Sequence, residues 1–205
     1  MEIDKRIPPA AGLGGGSSNA AAAIKGADSL YHLGLTEDEM LAAAAEVGSD
    51  VPFFILGGTA LAKGRGERVK RLSPLPVFWV VLAKPPFSVS TGEIYRLYEG
   101  KKAQACTERF LYALQREDIK GMISAMGNDL EPVTIGLYPQ IASVKERLLQ
   151  LGAQAAVMAG SGPTVFGLFG SREQAMQAAA AVREKNEDLH LFVCRTIAGG
   201  EREGG

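Results

Sequence analysis

Pro8-Pro-Ala-Ala-Gly-Leu-Gly-Gly-Gly-Ser-Ser-Asn-Ala20 is the stretch on which the fold turns. Its glycines let backbone N–H groups come close to an anion such as phosphate. It runs straight into an Ala-rich segment expected to be helical to about His32. A helix start adds unpaired N–H groups and the positive end of its dipole. Ser17 and Ser18 add hydroxyls that can bind phosphate or a magnesium ion, and either can cap the helix. The competing reading is a flexible linker, but a linker does not lead directly into a capped helix. The loop is not the common P-loop, because it lacks Gly-Lys-Ser/Thr. Nor does it match the spaced dinucleotide fingerprint.

Outward from this loop, a short strand is expected over 2–6 on its N-terminal side. Phosphate loops usually follow an established strand, so more chain is expected upstream. On the C-terminal side, Thr36-Glu-Asp-Glu39 has the capping-box pattern and predicts a second helix to Val47. Short strands are expected over 53–56, 59–63 and 67–72, with a turn at Gly64-Arg-Gly66. Ser73-Pro-Leu-Pro76 is the best internal boundary. Beyond it, 77–83 has the pattern of a strand buried on both faces, with Trp79 in the core. Strands are also expected over 155–158, 164–169 and 189–196, and helices over 90–98, 108–115, 119–126, 139–151 and 172–184. The strand–helix–strand–strand–helix–strand order predicts a ferredoxin-like α/β sandwich with extra helices. The Gly- and charge-rich end, 199–205, is expected to fray.

Composition narrows the function. The chain has 205 residues, of which 46% are hydrophobic, and a formal net charge of -1. That is enough apolar material for a sizeable core. Nucleic-acid partners usually demand a basic excess, which is missing. No apolar run is long enough to span a bilayer, and the first residues do not form a signal peptide. Cys106 and Cys194 are far apart and lack CxxC spacing, so both are expected to be buried free thiols in a reducing compartment. A cytoplasmic location follows as an expectation.

Three further stretches can carry chemistry. In Gly48-Ser-Asp-Val-Pro-Phe-Phe54, Asp50 lies between a helix end and a proline. It can accept a proton from an attacking hydroxyl, or it can be a turn-forming residue. Met158-Ala-Gly-Ser-Gly-Pro-Thr-Val-Phe166 places a Gly-Ser-Gly turn between two strands. Its amides can approach a ligand, or it is a plain hairpin. Lys84-Pro-Pro-Phe-Ser-Val-Ser-Thr-Gly-Glu-Ile-Tyr95 follows the first strand after the boundary. Tyr95 can stack on a base, or it faces the core. Asn128-Asp-Leu-Glu131 reads as a helix junction and is assigned no chemistry. Arg65, His32 and His190 have no pattern that demands a catalytic role.

The first loop closely resembles the ATP-binding motif of the GHMP kinases (galacto-, homoserine, mevalonate and phosphomevalonate kinases). The Gly-Ser-Gly stretch resembles that family's third motif, and the order is the family's. The Asp50 stretch, Gly57-Gly-Thr-Ala-Leu-Ala62 and Gly64-Arg-Gly-Glu67 look like the branch acting on 4-diphosphocytidyl-2-C-methyl-D-erythritol. The resemblance runs from Glu2 to about Arg202. It implies a partial ribosomal-protein-S5-domain-2-like, ATP-binding domain over 1–74 and a GHMP C-terminal domain over 75–205. The family also carries a segment ahead of the loop, with a Lys-containing motif and a Tyr-His pair that have no positions here. The first domain is therefore expected to be incomplete, with sheet edges open to association as monomer or homodimer.

The resemblance further implies ATP along Pro9, Ala10, Ala11, Gly12, Leu13, Gly14, Gly15, Gly16, Ser17, Ser18 and Asn19, with Mg2+ near Ser17 and Ser18. It makes Asp50 the catalytic base. It places the acceptor against Asp50, Thr91, Tyr95, Gly160, Ser161, Gly162 and Thr164, with the last four closing the pocket. The reaction implied is transfer of the ATP γ-phosphate to the 2-hydroxyl of the erythritol moiety, in the non-mevalonate route to isoprenoids. A homoserine- or mevalonate-type kinase, and a non-catalytic nucleotide-binding member of the fold, are the alternatives. Asp50→Asn separates enzyme from sensor: an enzyme loses turnover and keeps ATP binding.

Overall fold

In the computed structural model the described residues are 2–98, 100, 107–185 and 188–197. They form two compact units. The first comprises Met1–Pro9, Gly14–Leu75 and Ile197–Gly205; the second comprises Ala10–Leu13 and Pro76–Thr196. Cys106 and the expected frayed end, 199–205, lie outside the described residues.

The first unit opens without the strand expected over 2–6; that segment is irregular and exposed. Helix α1 (Gly15–Tyr31) is capped by Gly14, which is left-handed at φ 66°, and makes no side-chain cap bond. Ser17 and Ser18 therefore lie inside the first turn rather than capping it. The left-handed corner is what displaces them, since it takes a glycine without strain. A Cβ at Gly14 would also lie 2.6 Å from the Phe54 ring. Helix α2 (Glu37–Val47) follows, then α3 (Val51–Leu56) and a hairpin of β1 (Ala60–Lys63) and β2 (Arg68–Arg71). Ala21, Ala44, Val51 and Ile55 make the core of this unit, with Ile24, Met40, Leu41 and Phe54 packed around them.

The strand expected over 53–56 is thus a helix. A run of apolar residues this short does not distinguish the two by period. Pro52 in the first turn favours helix, and Val51, Pro52, Ile55 and Leu56 are buried at helical spacing. Arg71 ties β2 to both neighbours, donating from Nη1 to Leu56 O at 2.9 Å and from Nη2 to Glu37 Oε2 at 2.8 Å.

The capping box of α2 is complete: Thr36 Oγ1 accepts from Glu39 N, and the Glu39 carboxylate accepts from Thr36 N at 2.8 Å. Thr36→Ala is expected to cost about 1 kcal/mol, read as a lower urea midpoint. The Thr36 backbone N–H, and then its hydroxyl, hold the Glu39 carboxyl below its ordinary value. A depressed carboxyl stabilises the fold above its unfolded pKa. This contribution is lost as pH falls through the lower folded value, so the Thr36→Ala penalty should shrink in acid.

The second unit is built on a four-stranded antiparallel sheet in the order β4-β5-β3-β6. Its strands are β3 (Trp79–Lys84), β4 (Ala155–Met158), β5 (Val165–Phe169) and β6 (His190–Arg195). Helices α8 (Gln140–Gln150) and α9 (Arg172–Arg183) complete a ferredoxin-like order, with α4 (Thr91–Leu97), α5 (Thr107–Gln115), α6 (Ile119–Ser124) and α7 (Glu131–Leu137) inserted after β3. Both faces of β3 are covered. Val81 and Ala83 join Ile141, Val144, Leu148, Phe169 and Ala178 on one side. Val80 joins Ala155 and Leu168 on the other, with Ile123 and Met126 packed against them. That double burial is why the strand is a continuous apolar run. Trp79 opens the strand half-buried, beneath the Arg172 guanidinium. Cys194 is exposed, not buried, because β6 is an edge strand paired only with β3. Among the described residues no helix is long and apolar enough to cross a membrane.

Candidate active site

In the first unit the phosphate-loop residues build the start of α1. The N–H groups of Gly15, Gly16 and Ser17 precede the first helical bond, Ser18 N to Gly14 O at 2.9 Å, so the helix gives them no partner. Gly16 is open, and a Cβ there would meet nothing within 4 Å. Ser18 Oγ donates to Gly15 O at 3.0 Å and keeps its lone pairs. Asn19 follows, half-buried, and Pro9 is exposed. This donor set suits an anion, as a nucleotide triphosphate requires. Hydroxyls at Ser17 and Ser18 are hard oxygen donors of the kind magnesium takes. No cluster of three or more His, Cys, Asp or Glu side chains forms a metal centre among the described residues.

Asp50 stands at the N-cap of α3, at φ -90° and ψ -12°, and its side chain makes no cap bond. An N-cap aspartate ordinarily accepts from the first turn. This one is exposed and leaves its carboxylate to solvent. The turn after β1 passes close behind it: a Cβ on Gly66 would lie 3.0 Å from Ser49 O and 3.4 Å from Asp50 Oδ1. Arg65, in the same turn, is an exposed residue whose N–H donates to Glu67 Oε2 at 2.7 Å.

In the second unit the structure brings two motifs together. Ala10–Leu13 belongs to this unit, with Ala11 buried. Gly12 packs against the 159–162 turn: at φ 71°, its added Cβ would lie 2.4 Å from Ala159 O and 3.0 Å from Gly162 O. Both obstacles are backbone, so neither can swing away. Gly12→Ala is expected to destabilise by about 2 kcal/mol from left-handed strain, with the clash in addition. Differential scanning calorimetry of the variant checks this.

The turn itself is held from several directions. Ser161, 6% exposed, shares a hydrogen bond with Thr91 between hydroxyls 2.9 Å apart. Its carbonyl accepts from Thr134 Oγ1 at 3.3 Å. Asn128 Nδ2 donates to Met158 O and to Gly160 O, each at 2.7 Å. Asn128 Oδ1 accepts from Leu130 N at 2.9 Å. Buried Glu131 accepts from Met158 N at 2.9 Å and pairs with Lys145. The Asn128-Asp-Leu-Glu131 stretch therefore supports the Gly-Ser-Gly turn, a role its junction-like sequence does not disclose. The bonds span some 30 residues, beyond any local pattern.

Tyr95 lies one helical turn beyond Thr91 on α4 and is 60% exposed, which removes the core reading for it. Thr164, expected at the pocket surface, is fully buried, and its Oγ1 has no hydrogen-bond partner. Gly160 is exposed, whereas Gly162 is buried.

A family model described as the GHMP kinases N terminal domain matches residues 1–58, and one described as GHMP kinases C terminal matches 110–188. A Pelotomaculum thermopropionicum protein named 4-diphosphocytidyl-2-C-methyl-D-erythritol kinase is 46% identical over 201 residues, covering 96% of this chain and 69% of its own length. A Listeria monocytogenes protein of the same name is 44% identical, covering 99% of this chain and 69% of its own. Among solved structures, a 4-(cytidine 5'-diphospho)-2C-methyl-D-erythritol kinase superimposes with a TM-score of 0.79 at 36% identity, over 97% of this chain and 70% of that one. A Cytophaga hutchinsonii homoserine kinase superimposes at 0.76 over 96% and 69%, but at 20% identity it speaks for the fold alone. Two family models in their proper order, with relatives this similar along nearly the whole sequence, make the chain a member of the GHMP kinase family.

Proposed function

We propose that this chain is an ATP-dependent kinase that phosphorylates the 2-hydroxyl of 4-diphosphocytidyl-2-C-methyl-D-erythritol, in the non-mevalonate route to isoprenoid precursors. The observation that carries it is the 46% identity to a kinase of that name over 96% of the chain. Residues 1–74 and 75–205 serve as the N- and C-terminal kinase domains in this reading.

The start of α1 binds phosphate. The N–H groups of Gly15, Gly16 and Ser17 donate to phosphate oxygens, and the dipole of a 17-residue helix adds positive potential there. The flanking Pro9, Ala10, Ala11, Gly12, Leu13 and Gly14 belong to the same loop, and Asn19 follows in the helix. Ser17 and Ser18 hold magnesium, which supplies charge neutralisation on the phosphates when bound. Asp50 accepts the proton of the attacking hydroxyl, and its uncommitted carboxylate suits that task. Thr91 and Tyr95 recognise the cytidine end: Tyr95 presents an exposed ring to a base, and Thr91 is fixed by Ser161. Gly160, Ser161 and Gly162 shape the acceptor pocket through their backbone. Thr164 closes the same pocket, and its buried hydroxyl has no hydrogen-bond partner within the protein.

Magnesium-dependent ADP release tests this reading, with the cytidylyl-erythritol acceptor beside homoserine and mevalonate. Release with the first acceptor alone is the expected result. Release with homoserine or mevalonate instead would overturn the assigned acceptor, and no release with any acceptor would overturn the assignment of activity to this chain.

A further inference from the structure

We propose that Phe54 is a positioning residue for phosphoryl transfer, its ring setting the spacing between the start of α1 and the Asp50 carboxylate. This role rests on the kinase reading, with phosphate at the start of α1 and Asp50 as the base. Asp50 is the N-cap of α3, and Phe54 stands one helical turn beyond it, so both side chains leave α3 on the same side. Phe54 meets α1 at its N-cap: a Cβ on Gly14 would lie 2.6 Å from ring atom Cζ and 2.8 Å from Cε2. The tip of the ring therefore rests on the bare Cα of Gly14, next to the free N–H groups of Gly15, Gly16 and Ser17. A second tie joins the same two helices, from Lys25 Nζ on α1 to Phe54 O at 3.0 Å. Ala21 of α1 packs with Val51 and Ile55 of α3. Alanine there lets the helices approach, and the Phe54 ring then fixes how far apart their starts stand.

Transfer needs the base, the attacking hydroxyl and the phosphate in line, and a misplacement of about 1 Å can cost on the order of 10²-fold in rate. An aromatic ring suits a spacer because it cannot fold or stretch. This one is also held from the side, edge to face with Phe53 at 5.1 Å between centroids and 72° between planes. Neither a shorter nor a longer side chain keeps the spacing. Leucine leaves a gap above Gly14. Tyrosine adds an oxygen at Cζ, the ring atom nearest Gly14, and drives the helix starts apart. ATP binding uses N–H groups that Phe54 does not bond, so the spacing bears on the rate and not on nucleotide affinity.

The test is ADP release by the whole chain with the cytidylyl-erythritol acceptor, corrected for the folded fraction, beside calorimetric ATP affinity. Phe54→Leu and Phe54→Tyr are each expected to lower kcat about 10–100-fold with ATP affinity unchanged. Ile55→Val removes core volume from the same helix and leaves the ring in place, so it should keep wild-type kcat. Gly14→Ala checks the contact itself. Its added Cβ meets the ring in the wild-type background and is relieved in Phe54→Leu, while the left-handed strain at φ 66° is common to both and cancels. Gly14→Ala should therefore lower kcat by a smaller factor in Phe54→Leu than in wild type. The role of Phe54 is overturned if the wild-type chain transfers phosphate and Phe54→Leu does so at the same kcat. It is overturned equally if Ile55→Val loses as much kcat, or if the Gly14→Ala factor is the same in both backgrounds. A wild-type chain that releases no ADP overturns the kinase reading itself, and this role with it.

Discussion

Asp50→Asn is expected to lower the rate of phosphoryl transfer about 10²–10⁴-fold, with ATP affinity unchanged. The amide keeps the shape and hydrogen-bonding reach of the carboxylate but cannot take up a proton at neutral pH. A turn-forming aspartate would be tied to backbone N–H groups of its own segment, and its replacement would register as lost stability. Asp50 is not so tied: it sits at the N-cap of α3 without bonding the helix it precedes. Its substitution should therefore stay within about 0.5 kcal/mol of wild-type stability, as exposed positions without partners do. Two measurements on the same sample separate the possibilities. Single-turnover ADP formation should collapse, while the thermal midpoint and the calorimetric ATP affinity hold. Wild-type turnover in Asp50→Asn would sink the general-base assignment. A large fall in midpoint would make the residue structural.

The parts of this protein that could be read in advance are those fixed by near neighbours. The β3 run, the α2 capping box and the amphipathic face of α8 each declare themselves within a dozen residues. The ferredoxin-like order follows from the sequence of such segments. Features set by distant contacts did not declare themselves. The helix at Val51–Leu56 looks like a strand until Ala21 and Ala44 are seen to need its buried face. Pro132 and Gly136 hide α7, although proline is at home in a first helical turn. Ser17 and Ser18 look like caps until Gly14 takes the left-handed corner. At the candidate site, Asp50 and the glycines stood out because their residue types are chemically suggestive. Asn128 and Glu131 did not, since their meaning lies in carbonyls and an amide far along the chain. The burial of Thr164 was not legible either: a hydroxyl next to a Gly-rich turn looks exposed, yet this one directly precedes β5, an interior strand of the sheet.

Glu131→Ala should be among the most destabilising substitutions away from the apolar core, at about 3 kcal/mol. The Glu131 side chain is 11% exposed and its partner Lys145 is 30% exposed, so the pair is largely out of water. Removing the carboxylate leaves a mostly buried ammonium without its counter-charge and strips Met158 N–H of its acceptor. Lys145→Met should be nearly as harmful, because it leaves the more deeply buried charge alone. Replacing both residues by apolar groups of similar volume should recover much of the loss, since a buried pair contributes little net stability while half a pair costs a great deal. A double-mutant cycle in urea measures this coupling directly. The site supplies a second readout. Met158 is held at its N–H by Glu131 and at its carbonyl by Asn128, and the Gly-Ser-Gly turn begins two residues later. Glu131→Gln keeps an acceptor for the Met158 N–H, so it should preserve acceptor KM better than Glu131→Ala at equal fractions folded. If the two variants raise KM equally, or the double replacement is as unstable as the worse single one, Glu131 does not support the turn through this pair.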